Sequence, residues 1–202
     1  MPLYPTVKTD LGGGIAYYHP PQMEPVGRFD TTREYAEARE KMAMVCVDGL
    51  PCGYTENGTP AVALVIRADT EESDGPFRGQ PWVVGGKWNW IDTFCDFIRK
   101  KAKAELFRGT YDGEIEVPTE SIGGKPIMVA WGRGTDGPYQ LPAVSFQYCY
   151  RVILKTPFSE KNFSPDQNHT GHVIVRPQDN IDHLHAYVRD LITMSGWLEQ
   201  KS

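Results

Sequence analysis

The sequence lacks any apolar run that approaches the ~20 residues a membrane-spanning helix requires. It also lacks a basic stretch followed by an apolar one at its start, so we expect no secretory signal. Basic side chains are outnumbered, since 21 lysines and arginines face 26 aspartates and glutamates and leave a formal net charge of −5. Such a chain has no basic surplus with which to recruit phosphate backbones. The sequence therefore predicts a cytoplasmic protein that binds neither membranes nor nucleic acid.

Cysteine is scarce and shows no metal-binding spacing. The four residues are Cys46, Cys52, Cys95 and Cys149, and no two of them stand in C-x-x-C order. Three lie in apolar or strand-like surroundings, where a reduced thiol packs as a small apolar side chain. We therefore expect reduced core thiols, and neither a disulfide nor a zinc site.

The first 30 residues are rich in proline, glycine and tyrosine, which is typical of an irregular arm or short strands. Thr31 to Glu34 match a capping box, and the run to about Lys41 predicts a short helix. The total of 202 residues suits one domain with an appendage. We predict an arm and short helix over 1–41, packed on a core domain of 42–202. The arm is also a candidate for forming a homodimer.

From Met42 onward, short apolar runs alternate with turn residues, as buried strands do. These runs are 44–47, 61–66, 82–84, 127–131, 144–154 and 173–175. Two longer segments, 93–107 and 180–195, carry apolar residues at helical spacing, and Asp179 or Asn180 is expected to open the second. This order predicts an α/β protein with helices on both sides of a mixed sheet, an α/β/α sandwich.

A glycine pair stands between the third predicted strand and the first long helix. Gly85 and Gly86 open into a loop that carries Asp92, and Glu105 lies near the end of the helix that follows. Such a strand–loop–helix brings together backbone carbonyls and carboxylates, the hard oxygen ligands of divalent cations. This segment is therefore our candidate for a site that holds a cation against a pyrophosphate.

The stretch from Gly86 to about Arg108 resembles the Nudix box, G-x5-E-x7-R-E-U-x-E-E-x-G-U, in which U is a bulky aliphatic residue. In chain order the box positions hold Gly86 at the first glycine, Asp92 at the first glutamate, Lys100 at the arginine, Lys101 at the first metal-binding glutamate, Ala104 at another glutamate, Glu105 at the last glutamate and Phe107 at the second glycine. The resemblance implies a Nudix-like α/β/α sandwich. A lysine at a metal-ligand position would repel further Mg²⁺ ions and favours a one-metal mechanism or none.

The same stretch resembles one branch of that family more closely, the GDP-mannose mannosyl hydrolases. Their box also lacks most glutamates and ends in Ala-Glu-Leu, as residues 104–106 do here. A late segment, 166–177, is similar to that branch in its leading aspartate, the histidine three residues on, its apolar strand and its closing proline. The resemblance implies a Mg²⁺-dependent hydrolase, with Mn²⁺ as an alternative ion. Its substrate would be a nucleotide sugar or another nucleoside diphosphate derivative.

The resemblance also implies roles for individual residues. The metal ligands would be the carbonyls of Gly85 and Gly86, the carboxylate of Glu105, and Asn168, or Gln167 if the register slips by one. His169 would act as the general base, and the flanking Asp166 would orient it. His172, His183 and His185 are expected to be bystanders.

Other side chains are candidates for contacting the substrate. An arginine before the box steadies the diphosphate in the family, which points to Arg67 or Arg78, with Arg67 preferred. Lys100 comes from a charged helix run that would normally face solvent, and it is a candidate for meeting the diphosphate. Trp88 and Trp90 lie in a loop and could stack on a base or sugar. Asp48 is a candidate for contacting a substrate hydroxyl.

Two other functions stay open at this level. The missing glutamates fit a catalytically inactive Nudix-like module that binds a nucleotide or a protein. The glycine-rich arm and the tryptophans could instead form a surface patch for a partner protein. If the chain is a hydrolase, one metal ion makes attack at the sugar carbon credible, and cleavage at phosphorus remains an alternative.

Overall fold

A computed structural model of the chain describes residues 7–10, 16–19, 44–68, 79–88, 91–131, 143–159 and 161–200. The strands among them are Val7–Asp10 (β1), Ala16–His19 (β2), Met44–Tyr54 (β3), Pro60–Arg67 (β4), Pro81–Trp82 (β5), Val84–Lys87 (β6), Ile115–Glu116 (β7), Ile127–Trp131 (β8), Ala143–Leu154 (β9) and His169–Val175 (β10). The α-helices are Phe94–Phe107 (α1) and Ala186–Ser195 (α2), and a 3-10 turn spans Ile122–Gly124. None of the described helices is long and apolar enough to cross a membrane.

The described strands join in one sheet of mixed direction. Its main path runs β1-β2-β8-β9-β3-β4-β10, while β5, β6 and β7 pair with β4, β3 and β9 respectively. β3 runs parallel to β9, and β2 runs parallel to β8. The other pairs are antiparallel. The long strand β3 therefore pairs with β4, β6 and β9 and lies in the middle of the sheet.

The two helices cover opposite faces of this sheet. Side chains alternate along β4, so Val62 and Leu64 pack in one core while Ala63 and Val65 pack in the other. The first core contains the α2 residues Tyr187, Val188, Leu191 and Ile192. The second contains the α1 residues Phe97, Ile98, Ala102 and Leu106. The predicted α/β/α sandwich with a mixed sheet is confirmed.

Helix α1 begins and ends as its sequence predicts, within one residue. Thr93 caps it, because its side-chain oxygen accepts a hydrogen bond from the Asp96 N–H at 3.2 Å. Arg108 ends it in the left-handed conformation with φ 50°, and its N–H bonds to the carbonyl of Lys103. The strands predicted at 127–131 and 144–154 are likewise confirmed as β8 and β9.

The C-terminal helix starts later than predicted. It was expected from Asn180, but α2 begins at Ala186 with His185 as its cap. The side chain of Asp179 accepts from the Arg176 N–H at 2.8 Å, and that of Asn180 accepts from the Asp182 N–H at 2.8 Å. These bonds build local turns that compete with the helix. The predicted apolar residues do pack in the core, but the first two of them, Ile181 and Leu184, lie in turns before the helix.

Part of the predicted arm belongs to the sheet. β1 pairs with β2, and β2 pairs with β8 through Tyr17 and Tyr18. The predicted short helix after Thr31 and the predicted boundary between 41 and 42 lie outside the described residues. The division into an arm over 1–41 and a core over 42–202, and a homodimer through the arm, stay predictions.

The cysteines occupy the core as expected. Cys46, Cys52 and Cys149 are buried, Cys95 is half-buried, and all four are free thiols. Burial raises the pKa of Cys46 to about 11, so its thiol is protonated at neutral pH. The prediction that three of the four cysteines pack in the core is confirmed.

Candidate active site

Glu105 is a buried carboxylate on the core face of α1, seven residues after Ile98 and three after Ala102. Only 6% of its surface is exposed. Its Oε2 accepts a hydrogen bond from the Gly85 N–H at 3.0 Å, and its Oε1 lies 3.1 Å from the ammonium of Lys101. Burial raises the pKa of Glu105 above its ordinary value, while Lys101 and the Gly85 N–H act in the opposite direction. Glu105 is therefore a charge held inside the protein by specific partners.

The glycine pair that contacts Glu105 is part of a strand, not of a loop as predicted. β6 pairs with β3, and Gly85 stands opposite Asp48. Gly85 has φ +143° and Gly86 has φ +146°, conformations that side chains strongly disfavour. A Cβ on Gly85 would lie 2.4 Å from the Val47 carbonyl oxygen and 2.6 Å from Asp48 Oδ1. Glycine at position 85 is required because β3 and β6 approach so closely there.

Asp48 lies in the middle of β3, and not at the end of a strand as predicted. It is buried, and the Tyr187 hydroxyl of α2 donates a hydrogen bond to its Oδ2 at 2.7 Å. Burial raises the pKa of Asp48 to about 7, the Tyr187 hydroxyl lowers it, and the charge of Glu105 raises it further. Asp48 thus lies buried next to Gly85, its partner in the pairing of β3 with β6. Its contact with a substrate hydroxyl stays a prediction.

The raised pKa of Asp48 makes the stability of the protein depend on pH. Its folded value of about 7 exceeds the ordinary 3.8, so the folded state binds this proton more tightly than the unfolded state. The resulting stabilisation is complete below about pH 4 and is lost as the pH rises to about 7, a change of up to about 4 kcal/mol. We expect Asp48→Asn to flatten this dependence, as measured by urea denaturation across that range. Parallel curves for wild type and variant would contradict the assignment.

The late segment docks on the C-terminal end of α1. The N–H of Ser164 donates to the Leu106 carbonyl at 2.8 Å, and the N–H of Asp166 donates to the Glu105 carbonyl at 3.3 Å. Arg108 adds a bond from its Nε to the Pro165 carbonyl at 2.7 Å. These contacts satisfy carbonyls that a helix end leaves without partners. The two segments singled out in the sequence, far apart along the chain, are therefore in contact.

His169 follows in this segment as the first residue of β10. Its Nδ1 lies 2.7 Å from Asp166 Oδ1, which also accepts the Asn168 N–H at 2.9 Å. Asp166 thus holds the His169 ring by a hydrogen bond, and the role of His169 as the general base stays a prediction. The His169 side chain is only 8% exposed. An imidazole held at Nδ1 by a carboxylate leaves Nε2 as the atom that accepts a proton.

Arg67 and the two candidate amides adjoin His169. Arg67 stands opposite His169 in the pairing of β4 with β10, and its charge lowers the pKa of Asp48. The Asn168 carbonyl accepts the Ala68 N–H at 2.9 Å, which anchors the turn to the end of β4. The side chains of Gln167 and Asn168 are both exposed. Either amide remains a candidate metal ligand.

The remaining substrate-binding candidates divide into two groups. Lys100 pairs with Asp92 at 2.5 Å, and Trp88 donates to the Asp92 carbonyl at 2.8 Å while its ring meets Phe94 edge-on at 4.8 Å. Both side chains therefore brace the start of α1, and their contacts with substrate stay predictions. Arg78 and Trp90 lie outside the described residues.

His185 is not the exposed bystander that its sequence position predicts. It is buried, its Nδ1 accepts the Tyr187 N–H at 3.2 Å, and its ring lies 5.2 Å from that of Trp82. Burial lowers its pKa to about 4, so it is neutral at physiological pH. Sequence reasoning also missed Tyr187, although a tyrosine on the apolar stripe of α2 signals a buried hydroxyl that needs a partner.

The donor set determines which cation the site suits. Within the described part of the chain, no group of three or more histidine, cysteine, aspartate or glutamate side chains is arranged to hold a metal. Glu105 contributes one charged oxygen donor there, and carbonyls or an amide can add neutral ones. Mg²⁺ can be bound by one or two protein carboxylates when water and substrate phosphates supply its other ligands. The residues therefore fit a metal that arrives with phosphates, once Oε1 of Glu105 is released by Lys101.

Several solved structures that resemble this chain in fold are described as Nudix proteins. A mutT/nudix family protein from Listeria innocua aligns with a TM-score of 0.51 at 14% identity over 76% of this chain and 91% of its own. A Nudix hydrolase from Nitrosomonas europaea aligns with a TM-score of 0.50 at 15% identity over 97% of this chain and 89% of its own. The chain has the Nudix fold.

A third solved structure with the Nudix fold has a more specific description. It is a protein from Jonesia denitrificans described as a possible asymmetric diadenosine tetraphosphate hydrolase, with a TM-score of 0.50 at 19% identity over 78% of this chain and 98% of its own. No family model matches this sequence, and no curated protein matches it significantly. Identities this low establish a shared fold, while substrate and mechanism have to be argued from the site.

Proposed function

We propose that this protein is a Nudix-type hydrolase of nucleoside-diphosphate-linked substrates, and specifically of a nucleotide sugar such as GDP-mannose. The observation that carries the proposal is the docking of the late segment on α1, where the Asp166 N–H meets the Glu105 carbonyl at 3.3 Å. This backbone contact supports a site that combines the histidine bonded to Asp166 with the buried Glu105. A general base close to a carboxylate that can bind a cation suits the hydrolysis of a phosphorylated substrate.

His169 supplies the base. Its Nδ1 is held 2.7 Å from Asp166 Oδ1, so Nε2 is the nitrogen that takes a proton from water. The low exposure of the ring, 8%, limits the positions it can adopt and keeps Nε2 aimed in one direction. Asp166 acts as a positioning residue, since it acts through the histidine.

Glu105, the carbonyls of Gly85 and Gly86, and Asn168 or Gln167 would hold the cation. Bound Mg²⁺, or Mn²⁺ in its place, would neutralise the diphosphate that leaves. Arg67, which pairs with His169 across β4 and β10, supports the charge that develops on the same group. In the proposed reaction water attacks the sugar carbon, the bond from that carbon to the diphosphate oxygen breaks, and the nucleoside diphosphate leaves. Cleavage at phosphorus is the alternative.

Product analysis with matched variants tests the proposal. The protein is incubated with Mg²⁺ and a panel of GDP-mannose, other nucleotide sugars, ADP-ribose and dinucleoside polyphosphates, and the products are separated by ion exchange. We expect a nucleoside diphosphate and free sugar from the preferred substrate. We also expect Glu105→Gln to lower turnover by roughly 10²-fold or more, since it removes the charged ligand. Glu116→Gln, which alters an exposed glutamate of β7, serves as the control.

An inactive nucleotide-binding module is the second candidate. The ammonium of Lys101 against Glu105, at 3.1 Å, favours it, because a lysine neutralises the carboxylate that would bind metal. Tight nucleotide binding by calorimetry, with no turnover of any panel member, would decide for this module. Turnover that Glu105→Gln leaves unchanged would reject the proposed site.

A further inference from the structure

The Lys101 ammonium lies at the place where the proposed function puts a metal ion. It is 3.1 Å from Oε1 of Glu105. A Cβ built on Gly86 would lie 4.0 Å from the same ammonium, so the lysine reaches across to the glycine pair. Since Glu105 is a proposed metal ligand, the ammonium occupies the position beside Oε1 that a bound cation would take. The chain therefore carries its own cation at this point.

The Lys101–Glu105 pair joins a partly exposed side chain to a buried one. The Lys101 side chain is 39% exposed, whereas that of Glu105 is 8% exposed and held at Oε2 by the Gly85 N–H. A lysine ammonium is a strongly hydrated charge on a flexible stem, so water can replace Glu105 as its partner. The buried carboxylate has no such alternative and needs a counter-charge. Lys101 can leave, but Glu105 stays where a cation would meet it.

We propose that Lys101 competes with divalent cations for Glu105 and so keeps the site poor in metal when no substrate is bound. The inference rests on the proposed function, because it takes Glu105 as the metal ligand. One carboxylate oxygen cannot serve the ammonium and a metal ion at once, and two cations so close repel each other. Lys101 thus lowers the metal affinity of the free protein, whereas a metal ligand at the same position would raise it.

Mn²⁺ binding without nucleotide tests the competition directly. Free Mn²⁺ is followed by electron paramagnetic resonance at about pH 8, where an ordinary carboxyl group is ionised. We expect Lys101→Met to bind Mn²⁺ at least ~10-fold more tightly than wild type, which corresponds to about 1.4 kcal/mol. Lys101→Arg keeps the charge and should bind Mn²⁺ as weakly as wild type. Glu105→Gln in the Lys101→Met background should abolish the gain.

Lys103→Met is the matched control. It removes the same charge from the same helix, two residues further along. A gain in Lys101→Met that Lys103→Met shares would reflect net charge alone and would overturn the competition. Lys101→Gln provides a second neutral variant, and circular dichroism confirms that each protein is folded. Mn²⁺ affinity unchanged in both neutral Lys101 variants would overturn the inference.

The Mn²⁺-binding test and the turnover test can each reject one proposal without rejecting the other. If wild type hydrolyses a panel substrate and Lys101→Met binds Mn²⁺ no better than wild type, the competition is wrong and the hydrolase stands. If no substrate is turned over but Lys101→Met gains Mn²⁺ affinity through Glu105, the hydrolase is wrong and the competition stands.

Discussion

Gly85→Ala should lower the free energy of unfolding by roughly 3–5 kcal/mol and abolish any activity, because strain and overlap add at this position. The backbone at φ +143° disfavours any side chain. In addition, the new Cβ would lie 2.4 Å from the Val47 carbonyl oxygen and 2.7 Å from the Asp48 Cα, which are backbone atoms that cannot rotate away. β6 would have to separate from β3, and the N–H that holds Glu105 would move with it. Chemical denaturation measures the loss.

Gly86→Ala separates the two causes. Its φ of +146° is nearly the same, but the nearest atom to a new Cβ is the flexible Lys101 ammonium at 4.0 Å. Strain remains without overlap, so we expect a loss of only about 1–3 kcal/mol. Equal destabilisation by the two variants would show that the close approach of β3 and β6 is not what demands glycine at position 85.

His169→Ala should lower the catalytic rate constant by about 10²- to 10⁴-fold, the usual contribution of a positioned general base. The fold should survive, because β10 keeps its backbone pairing with β4 and the ring lies at the start of the strand. Asp166→Asn should cause a smaller loss, since the ring keeps a hydrogen-bonding neighbour but loses the carboxylate at 2.7 Å. Steady-state kinetics on the preferred panel substrate measure both effects.

His183→Ala is the control for this pair, since His183 is exposed in the turn before α2. It should leave both kinetic constants unchanged. A rate constant that survives His169→Ala within a factor of about 3 would remove His169 from the role of base, given the size expected of that role. Another group near Glu105 would then have to activate water.

Local sequence signals predicted most of the fold. The apolar residues of α1 recur every three to four positions, and Thr93 provides a side-chain cap, so both the face and the start of the helix could be predicted. Every second residue of β9 from Tyr148 to Leu154 packs in the core under α1, and this loose alternation in the sequence indicated a strand. These features depend on neighbours a few residues away, and a sequence displays such neighbours directly.

The errors arose where distant parts of the chain meet. Nothing local indicates that Gly85 and Gly86 pair with β3, so their sequence predicts a loop. Tyr187 reaches Asp48 across 139 positions of sequence, and neither residue signals the other. The family resemblance did predict that the segments of Glu105 and His169 would meet, and their backbones do. One local contact was also missed, since Lys101 pairs with Glu105 one helical turn further along α1.

The attachment of the late segment to α1 depends largely on the main chain. Ser164 and Asp166 use their amides, and Leu106 and Glu105 use their carbonyls, so neither bond depends on a side chain. Substitutions at exposed positions such as Ser164 and Gln167 can therefore accumulate while the histidine keeps its distance from the helix. Evolution is free to alter the chemistry around this junction, and a site so joined can change its substrate without being rebuilt.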